Sequence, residues 1–251
     1  SPAKTGCNIA SVNRQIMGIA RDAACIYAAT GDMRYGKMAA KVFDVYMKGI
    51  AYRKVPIDLN HGHQQTLVGM TTFEVIHEDI INELTQMYPL IRNLVKEDQS
   101  IIEMGFKKWA ENIIANGVPH NNWDLFQADF IVKIALILQD NQAYADGKGK
   151  QYYLDYVVNQ NSIRQWSLNK LIDFGFDQKA KTWYESPGYS TTVLSTLCDF
   201  TNMLDEKAGI EMFKQRPILI DGVKASAEYL FPNRMIAGFG DTHPGYLNQG
   251  G

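Results

Sequence analysis

Apolar residues recur at helical spacing along almost the whole chain, and this pattern limits the possible fold classes most strongly. It runs over residues 16–27, is interrupted at Gly31-Asp32, and resumes over residues 35–50. Spacings of three and four predict amphipathic helices, so these two segments predict an antiparallel helix hairpin joined by a tight turn. Further helices are predicted over residues 64–87, 99–115, 122–138, 150–158, 163–174, 189–204 and 216–229.

Glycine and proline separate these predicted helices, and an alternating strand pattern is limited to a short extended link at residues 53–57. Helices of roughly 12 to 20 residues joined by short turns are typical of stacked helix hairpins. No repeat of fixed period occurs, which argues against a solenoid. We therefore predict an all-α fold, an incomplete (α/α) toroid of antiparallel helix hairpins. The helix-breaking positions are Pro89, Asn116-Gly117, Gly147 to Gly149, Pro187-Gly188 and Arg216-Pro217.

Charge and hydropathy exclude several functional classes. The chain has 25 Lys and Arg against 27 Asp and Glu, a net charge of -2, so it lacks the basic surface on which nucleic-acid binding depends. No apolar run approaches the roughly 18 residues of a membrane helix. With 251 residues, 46% of them hydrophobic, the chain can bury one large core, so we expect a single domain over residues 1–251.

The metal-ligating residue types are too sparse to predict a metal site. Cys7, Cys25 and Cys198 lack metal-type spacing, and His61 and His63 flank a glycine without a third ligand nearby. Nucleotide-binding glycine loops and the Gly-x-Ser-x-Gly hydrolase motif are also absent from the sequence. We therefore expect the protein to use no metal ion or other cofactor.

A first polar cluster opens the helix predicted from residue 122. It comprises His120, Asn121, Asn122 and Trp123. One helix start needs one capping side chain, and three candidates compete here, so at least one amide is expected to be free for a ligand. The alternative is a cap followed by an anchoring tryptophan. Asp124, on the first turn, is expected to be structural.

A second cluster opens the helix that begins after Pro187-Gly188. Tyr189 follows this break directly, where its phenol could point into a cleft, although a buried tyrosine is the alternative. Trp183 and Tyr184 offer flat rings for stacking on sugars, unless the tryptophan is a core anchor. Glu185 could be an acid, an orienting group or a surface charge.

Three motifs in this order resemble a known family. They are Asn121-Asn122 beside a tryptophan, Pro-Gly-Tyr ending at Tyr189, and Phe-Gly-Asp-Thr-His over residues 239–243. This arrangement is similar to the α/α-toroid domain of heparinase II/III-like and alginate-type polysaccharide lyases. The resemblance implies a periplasmic or secreted enzyme whose helical domain packs against a C-terminal β-sandwich domain. The glycine-rich tail is expected to lead into that domain.

The resemblance also implies roles for individual residues. Asn122, or its neighbour Asn121, would bind a uronate carboxylate, and Tyr189 would be the catalytic phenol. His120 is a third catalytic candidate, although relatives often place a histidine after the asparagine pair. Gln64 corresponds to a polar residue at a helix start in the family. The residues expected to bind substrate are Asn121, Trp123, Gln64, Tyr184, Glu185 and His243.

The expected reaction is β-elimination on an anionic polysaccharide such as heparin, heparan sulfate or alginate. The enzyme would remove the C5 proton next to the uronate carboxylate and expel the sugar linked at O4, so aimed donors must stabilise charge on the carboxyl group. A tyrosine can act as acid and base. The alternatives are a glycoside hydrolase with two carboxylates and a helical glycan-binding domain without catalysis.

Overall fold

The computed structural model describes residues 9–52, 80–117, 122–241 and 245–246 of the protein. These residues are mostly helical, which confirms the all-α class, while the toroidal arrangement stays a prediction. None of the helices found there combines the length and apolarity needed to cross a membrane. The α-helices of the described ranges are α1 (Ile9–Thr30), α2 (Met33–Tyr52), α3 (Ile80–Ile91), α4 (Gln99–Asn116), α5 (Asn122–Ala135), α6 (Lys150–Asn159), α7 (Leu168–Gly175), α8 (Pro187–Ala208), α9 (Met212–Gln215) and α10 (Ile218–Ser226).

Short elements complete the secondary structure. Two 3₁₀ turns cover Asn141–Ala143 and Ala227–Tyr229. Strands β1 (Met235–Ile236) and β2 (Gly245–Tyr246) pair antiparallel. A strand of two residues is too short to produce an alternating pattern, which explains why the sequence did not predict it. The chain divides into two compact units, Ser1–Ser167 and Leu168–Gly251.

In the first unit, α1 and α2 form the predicted hairpin. Gly31 lies in the turn with φ 73°, a conformation that glycine adopts without steric cost. Helix α3 packs against α1, α4 packs against α2, and α5 contacts α3, α4 and α6. Three buried rings join α2, α3 and α4, because Phe43 stacks on Tyr88 at 5.1 Å and lies 6.5 Å from Phe106 between ring centroids.

Helix α4 fastens the segment between α5 and α6, residues 139–149, through three side chains spaced one turn apart. Tyr144 in this segment lies under the ammonium of Lys107, 4.1 Å from the ring centroid. Burial raises the pKa of Tyr144 to about 12, so its phenol stays protonated at neutral pH. The three polar contacts join Glu103 to Gln139, Lys107 to Asp146 and Glu111 to Lys148, with N–O distances of 2.9, 2.7 and 2.9 Å.

The predicted helix over residues 163–174 is wrong at its start, because α7 begins only at Leu168. Side chains bind the backbone N–H groups that a helix would use. Ser162 Oγ accepts from the N–H groups of Arg164 and Gln165 at 3.1 and 3.0 Å, and Asn161 Oδ1 accepts from Ser167 at 2.9 Å. Such local bonds offer the backbone an alternative to a helix.

Pro89 also departs from its predicted role as a helix breaker. It lies inside the last turn of α3, two residues before the helix ends at Ile91. The proline nitrogen carries no hydrogen, so the helix lacks one backbone hydrogen bond there. Close to the helix end this loss is limited, since few residues follow that depend on the interrupted ladder.

The second unit is built around α8. Pro187 occupies the first helical position, where a missing N–H group costs nothing. One face of the helix is buried, including Leu197, Phe200 and Leu204. Helices α9 and α10 pack against α8. The link between them is tied back to α7, because the Arg216 guanidinium donates to Asn169 at 2.8 Å and to Asp173 at 2.7 Å.

Candidate functional site

The first predicted cluster lies at the start of α5 in the first unit. Asn122 is the first residue of this helix, and both Asn122 and Trp123 are half-buried. His120 and Asn121 lie outside the described residues. Asp124 is fully buried and its Oδ2 accepts a hydrogen bond from the Trp166 N–H at 3.0 Å. The structural role predicted for Asp124 is thereby supported by geometry.

Trp183, in the second cluster, is a core anchor and not an exposed stacking surface. Its ring packs edge-on against Phe176 with centroids 5.4 Å apart, and the residue is only 5% exposed. Gly175 makes room for it, since a Cβ atom there would lie 2.2 Å from the indole. The backbone is fixed at the same point, because the Tyr184 N–H donates to the Gly175 carbonyl at 2.8 Å. Tyr184 and Glu185 are therefore held on a rigid base.

An open cleft of about 460 Å³ lies beside this anchor, within the second unit. We call it the Glu185 cleft. One wall comes from the segment between α7 and α8, and the other from the end of the second 3₁₀ turn and the loop after β1. Its lining residues are Asp177, Ala180, Thr182, Trp183, Tyr184, Glu185, Ser186, Tyr229, Phe239, Gly240 and Asp241.

Aromatic rings from both walls line the Glu185 cleft. Tyr184 is 63% exposed and Phe239 is 56% exposed, so both rings present more than half of their surface to solvent. Phe239 is positioned by Tyr229, against which it packs edge-on with centroids 6.2 Å apart. The Tyr184 hydroxyl donates a long hydrogen bond of 3.4 Å to Asp177. Flat apolar surface therefore faces solvent at a place where polar groups converge.

Glu185 is the cleft acid whose pKa is raised. Burial raises the pKa of its carboxyl group above the ordinary value, and the negative charge of Asp241 raises it further. Its Oε2 atom is buried and has no hydrogen-bond partner. A buried carboxylate oxygen without a donor is costly, which favours the protonated form of this carboxyl group.

Asp241 is fixed by the residue that precedes α8. The Ser186 hydroxyl donates to Asp241 Oδ1 at 2.5 Å, and it does not cap the helix that follows it. Gly240 has φ 65°, and a Cβ atom there would lie 3.0 Å from Ser186 Cβ. Both the backbone conformation and the close approach favour glycine. The loop that carries Phe239 and Asp241 is thereby held against the start of α8.

Asp177 adds a third acidic group. Its Oδ1 accepts from the N–H groups of Lys179 and Ala180 at 2.8 and 2.6 Å, and these bonds lower the pKa of the carboxyl group, so it is ionised at neutral pH. No lysine, arginine or histidine is among the described residues that line the cleft. In the part of the chain that the structure covers, no group of three or more His, Cys, Asp or Glu side chains is arranged to hold a metal ion.

The predicted site residues are therefore only partly brought together. Tyr184 and Glu185 line one cleft, and their role as substrate-binding residues stays a prediction. Tyr189 lies on the first turn of α8 and is 48% exposed, but it does not line this cleft. Gln64 and His243 lie outside the described residues, as do His120 and Asn121. Asn122 and Trp123 belong to the first unit.

Sequence reasoning missed three cleft residues. Asp241 stands within the Phe-Gly-Asp-Thr-His motif, in which the sequence predicted His243 as the site residue. Asp177 and Tyr229 belong to no motif, and only the chain path brings them to the same cleft. The raised pKa of Glu185 depends on Asp241, which is far away in sequence, so a local pattern could not reveal it.

One family comparison bears on these residues. The family described as the endo-acting ulvan lyase 2nd domain matches residues 179–250, which include most of the Glu185 cleft and Tyr189. A search of curated proteins gave no match. The family match supports a polysaccharide lyase in general terms, and it does not single out the heparinase II/III-like group.

Proposed function

We propose that this protein cleaves a uronate-containing polysaccharide by β-elimination. The observation that supports this most directly is the match of residues 179–250 to the ulvan lyase domain, because the matched segment contains Tyr189 and most of the Glu185 cleft. The family name makes ulvan the first substrate to test. Heparin, heparan sulfate and alginate follow from the resemblance described above.

In this proposal Tyr189 acts as general acid and base, and Asn122 supports the uronate carboxylate. The exposure of Tyr189 supports its role, because a phenol that is 48% exposed on the first turn of a helix is open to a polymer. An asparagine amide donates two hydrogen bonds, which can stabilise the charge that develops on the carboxyl group. Substitution of each residue tests its role separately.

The resemblance further supports an incomplete (α/α) toroid, a C-terminal β-sandwich partner domain, and a periplasmic or secreted location. We keep these three features as parts of the proposal. His120, Asn121, Gln64 and His243 remain candidate site residues on the same ground, as does Trp123.

The test is to incubate the full chain with each polymer and to record ultraviolet absorbance together with new reducing ends. Elimination creates a double bond conjugated with the uronate carboxylate, so both signals should rise together. If ulvan, heparin, heparan sulfate and alginate all remain intact at high enzyme concentration, the proposal is overturned.

A glycoside hydrolase is the second candidate, and the Glu185 cleft is the observation that favours it. A hydrolase needs one carboxyl group that stays protonated and a second that stays ionised. Glu185 has a raised pKa, and Asp241 provides a nearby carboxylate. Two other acids, outside the cleft, have structural partners, because Asp124 accepts from the backbone N–H of Trp166 and Asp129 is paired with Lys133 at 2.5 Å.

The same assay separates the two candidates. Hydrolysis would release reducing ends without ultraviolet absorbance, and Glu185→Gln would abolish that release. Elimination would produce both signals and would persist in Glu185→Gln, provided that the polymer is supplied at a saturating concentration.

A further inference from the structure

We propose that the Glu185 cleft is a binding subsite for an uncharged sugar residue of the polymer. This inference rests on the proposed action on a polysaccharide, and it adds which kind of sugar the cleft accepts. The uronate itself would be bound by other groups.

The aromatic rings supply the first argument. Tyr184 and Phe239 expose more than half of their surface at the two walls of the cleft, although each is held in place, Tyr184 by its backbone bond to Gly175 and Phe239 by its contact with Tyr229. A pyranose ring presents apolar C–H groups on its faces, and rigid aromatic surface binds such faces at little cost in side-chain entropy. The cleft is thus suited to a ring-shaped ligand with polar edges.

The charge of the cleft supplies the second argument. Asp177, Glu185 and Asp241 line it, and no described lining residue carries a positive charge. A uronate carboxylate or a sulfate group bound there would meet three carboxyl groups at short range, and the Lys179 ammonium near Asp177 offsets their charge only in part, which disfavours binding. An uncharged sugar avoids this repulsion. The net charge of the ligand is therefore the property that the cleft can discriminate.

The hydrogen-bonding groups supply the third argument. Carboxylate oxygens accept strongly from hydroxyl groups, and bonds to ionised acceptors are stronger than bonds between neutral groups. The Ser186 hydroxyl occupies one of the two carboxylate oxygens of Asp241, so the second can accept from a ligand. Glu185 is half-buried and lines the cleft, although its Oε2 atom is covered. The raised pKa of Glu185 also lets this group carry a proton in weakly acidic solution and donate it to a sugar oxygen.

The test compares two probes that share one ring and differ in charge. Methyl β-D-glucopyranoside carries a hydroxymethyl group where its glucuronic acid counterpart carries a carboxylate. Binding of each to the full chain is followed by saturation-transfer NMR at neutral pH. We expect a clear signal for the neutral glycoside and a dissociation constant at least several-fold weaker for the uronate. Tighter binding of the uronate, or binding that depends on added calcium, overturns the proposal.

Variants locate the binding. Tyr184→Ala and Phe239→Ala should each weaken binding of the neutral glycoside several-fold. Phe231→Ala is the matched control, because Phe231 is 55% exposed in the same unit but does not line the cleft. Glu185→Gln combined with Asp241→Asn should bring the two dissociation constants closer together, since it removes the repelling charges and keeps an acceptor for Ser186. Equal effects of the three aromatic substitutions contradict the proposal.

The measurements distinguish failure of the subsite proposal from failure of the lyase proposal. If the chain eliminates uronate polymers but the neutral probe does not bind, the subsite is wrong and the lyase stands. If the neutral probe binds as described but all polymers remain intact, the subsite stands and the lyase proposal fails.

Discussion

The Ser186 hydroxyl donates a hydrogen bond of 2.5 Å to Asp241, so the residue just before α8 contacts a loop 55 residues further along the chain. Helix starts with serine normally use the hydroxyl as a cap for their own N–H groups. Here the side chain is diverted to tertiary structure. This contact helps to fix the loop that carries Phe239, together with the packing of Phe239 on Tyr229 and the bond from the Ala237 N–H to the Tyr229 carbonyl.

Ser186→Ala should therefore destabilise the protein by about 1 kcal/mol, the typical net worth of one hydrogen bond. Hydrogen exchange at Phe239 and Gly240 should become faster than in the original protein. Ser195→Ala is the control, because Ser195 is exposed on the same helix. Asp241→Asn should have a smaller effect than Ser186→Ala, since the amide oxygen still accepts. Unchanged exchange in Ser186→Ala would show that other contacts hold the loop.

Gly175→Ala should destabilise the protein by about 1–3 kcal/mol, the usual cost of overpacking a core. The added methyl group would overlap the indole of Trp183, which is buried and cannot move aside freely. Gly49→Ala is the opposite case, because no atom lies within 4 Å of its added methyl group inside α2. That substitution should stabilise by about 0.5–1 kcal/mol. Urea unfolding gives the change in the free energy of unfolding for each variant. Destabilisation by both substitutions would contradict this account.

Tyr189→Phe should lower the rate of elimination by about 10²- to 10⁴-fold, the usual contribution of a proton-transferring side chain. The aromatic ring remains, so stability should change little at this exposed position. Tyr35→Phe serves as the control, since Tyr35 is an exposed tyrosine on α2. Initial rates on a polymer that the original protein cleaves give the comparison. Full activity in Tyr189→Phe would exclude the phenol from catalysis.

Asn122→Asp separates a catalytic role from a structural one. A negative charge on the first residue of α5 interacts favourably with the helix N-terminus, so folding should be retained or slightly improved. The same charge would repel a uronate carboxylate and remove amide donors, so elimination should fall sharply. Thermal unfolding and initial rates are measured on the same preparation. Loss of both stability and activity would point to a purely structural asparagine.

Glu185→Gln should change how stability depends on pH. The folded protein holds the Glu185 proton to higher pH than the unfolded chain, because the pKa in the folded state is raised. The free energy of unfolding of the original protein therefore falls as pH rises from the pKa of this glutamate in the unfolded chain through its higher pKa in the folded protein. The glutamine variant lacks this loss, so its melting temperature relative to the original protein should increase from acidic to neutral pH. A constant difference across the series would refute the raised pKa.

The helices could be predicted because apolar spacing acts locally. α4, for instance, begins at Gln99 as predicted and ends one residue beyond the predicted position. The prediction failed where side chains compete for the backbone, as Ser162 and Asn161 do before α7. Periodicity registers apolar positions and contains no information about such bonds.

Only those residues of the candidate site that are adjacent in sequence could be predicted. Tyr184 and Glu185 stood out as aromatic and polar groups at a helix start, and both line the cleft. Asp241 and Tyr229 reach it through tertiary folding, and the perturbation of Glu185 arises from burial together with Asp241. A single sequence shows neither the burial of a carboxyl group nor its distant neighbours.

The three polar contacts from α4 to residues 139–149 have a kinetic consequence for that segment. Because Glu103, Lys107 and Glu111 each bind a different point of it, breaking one contact leaves two that hold the rest in place. Opening then requires all three to break at once, so the amide protons across the segment should exchange with solvent as one cooperative group. The segment over residues 139–149, whose regular structure is the 3₁₀ turn Asn141–Ala143, should therefore open cooperatively.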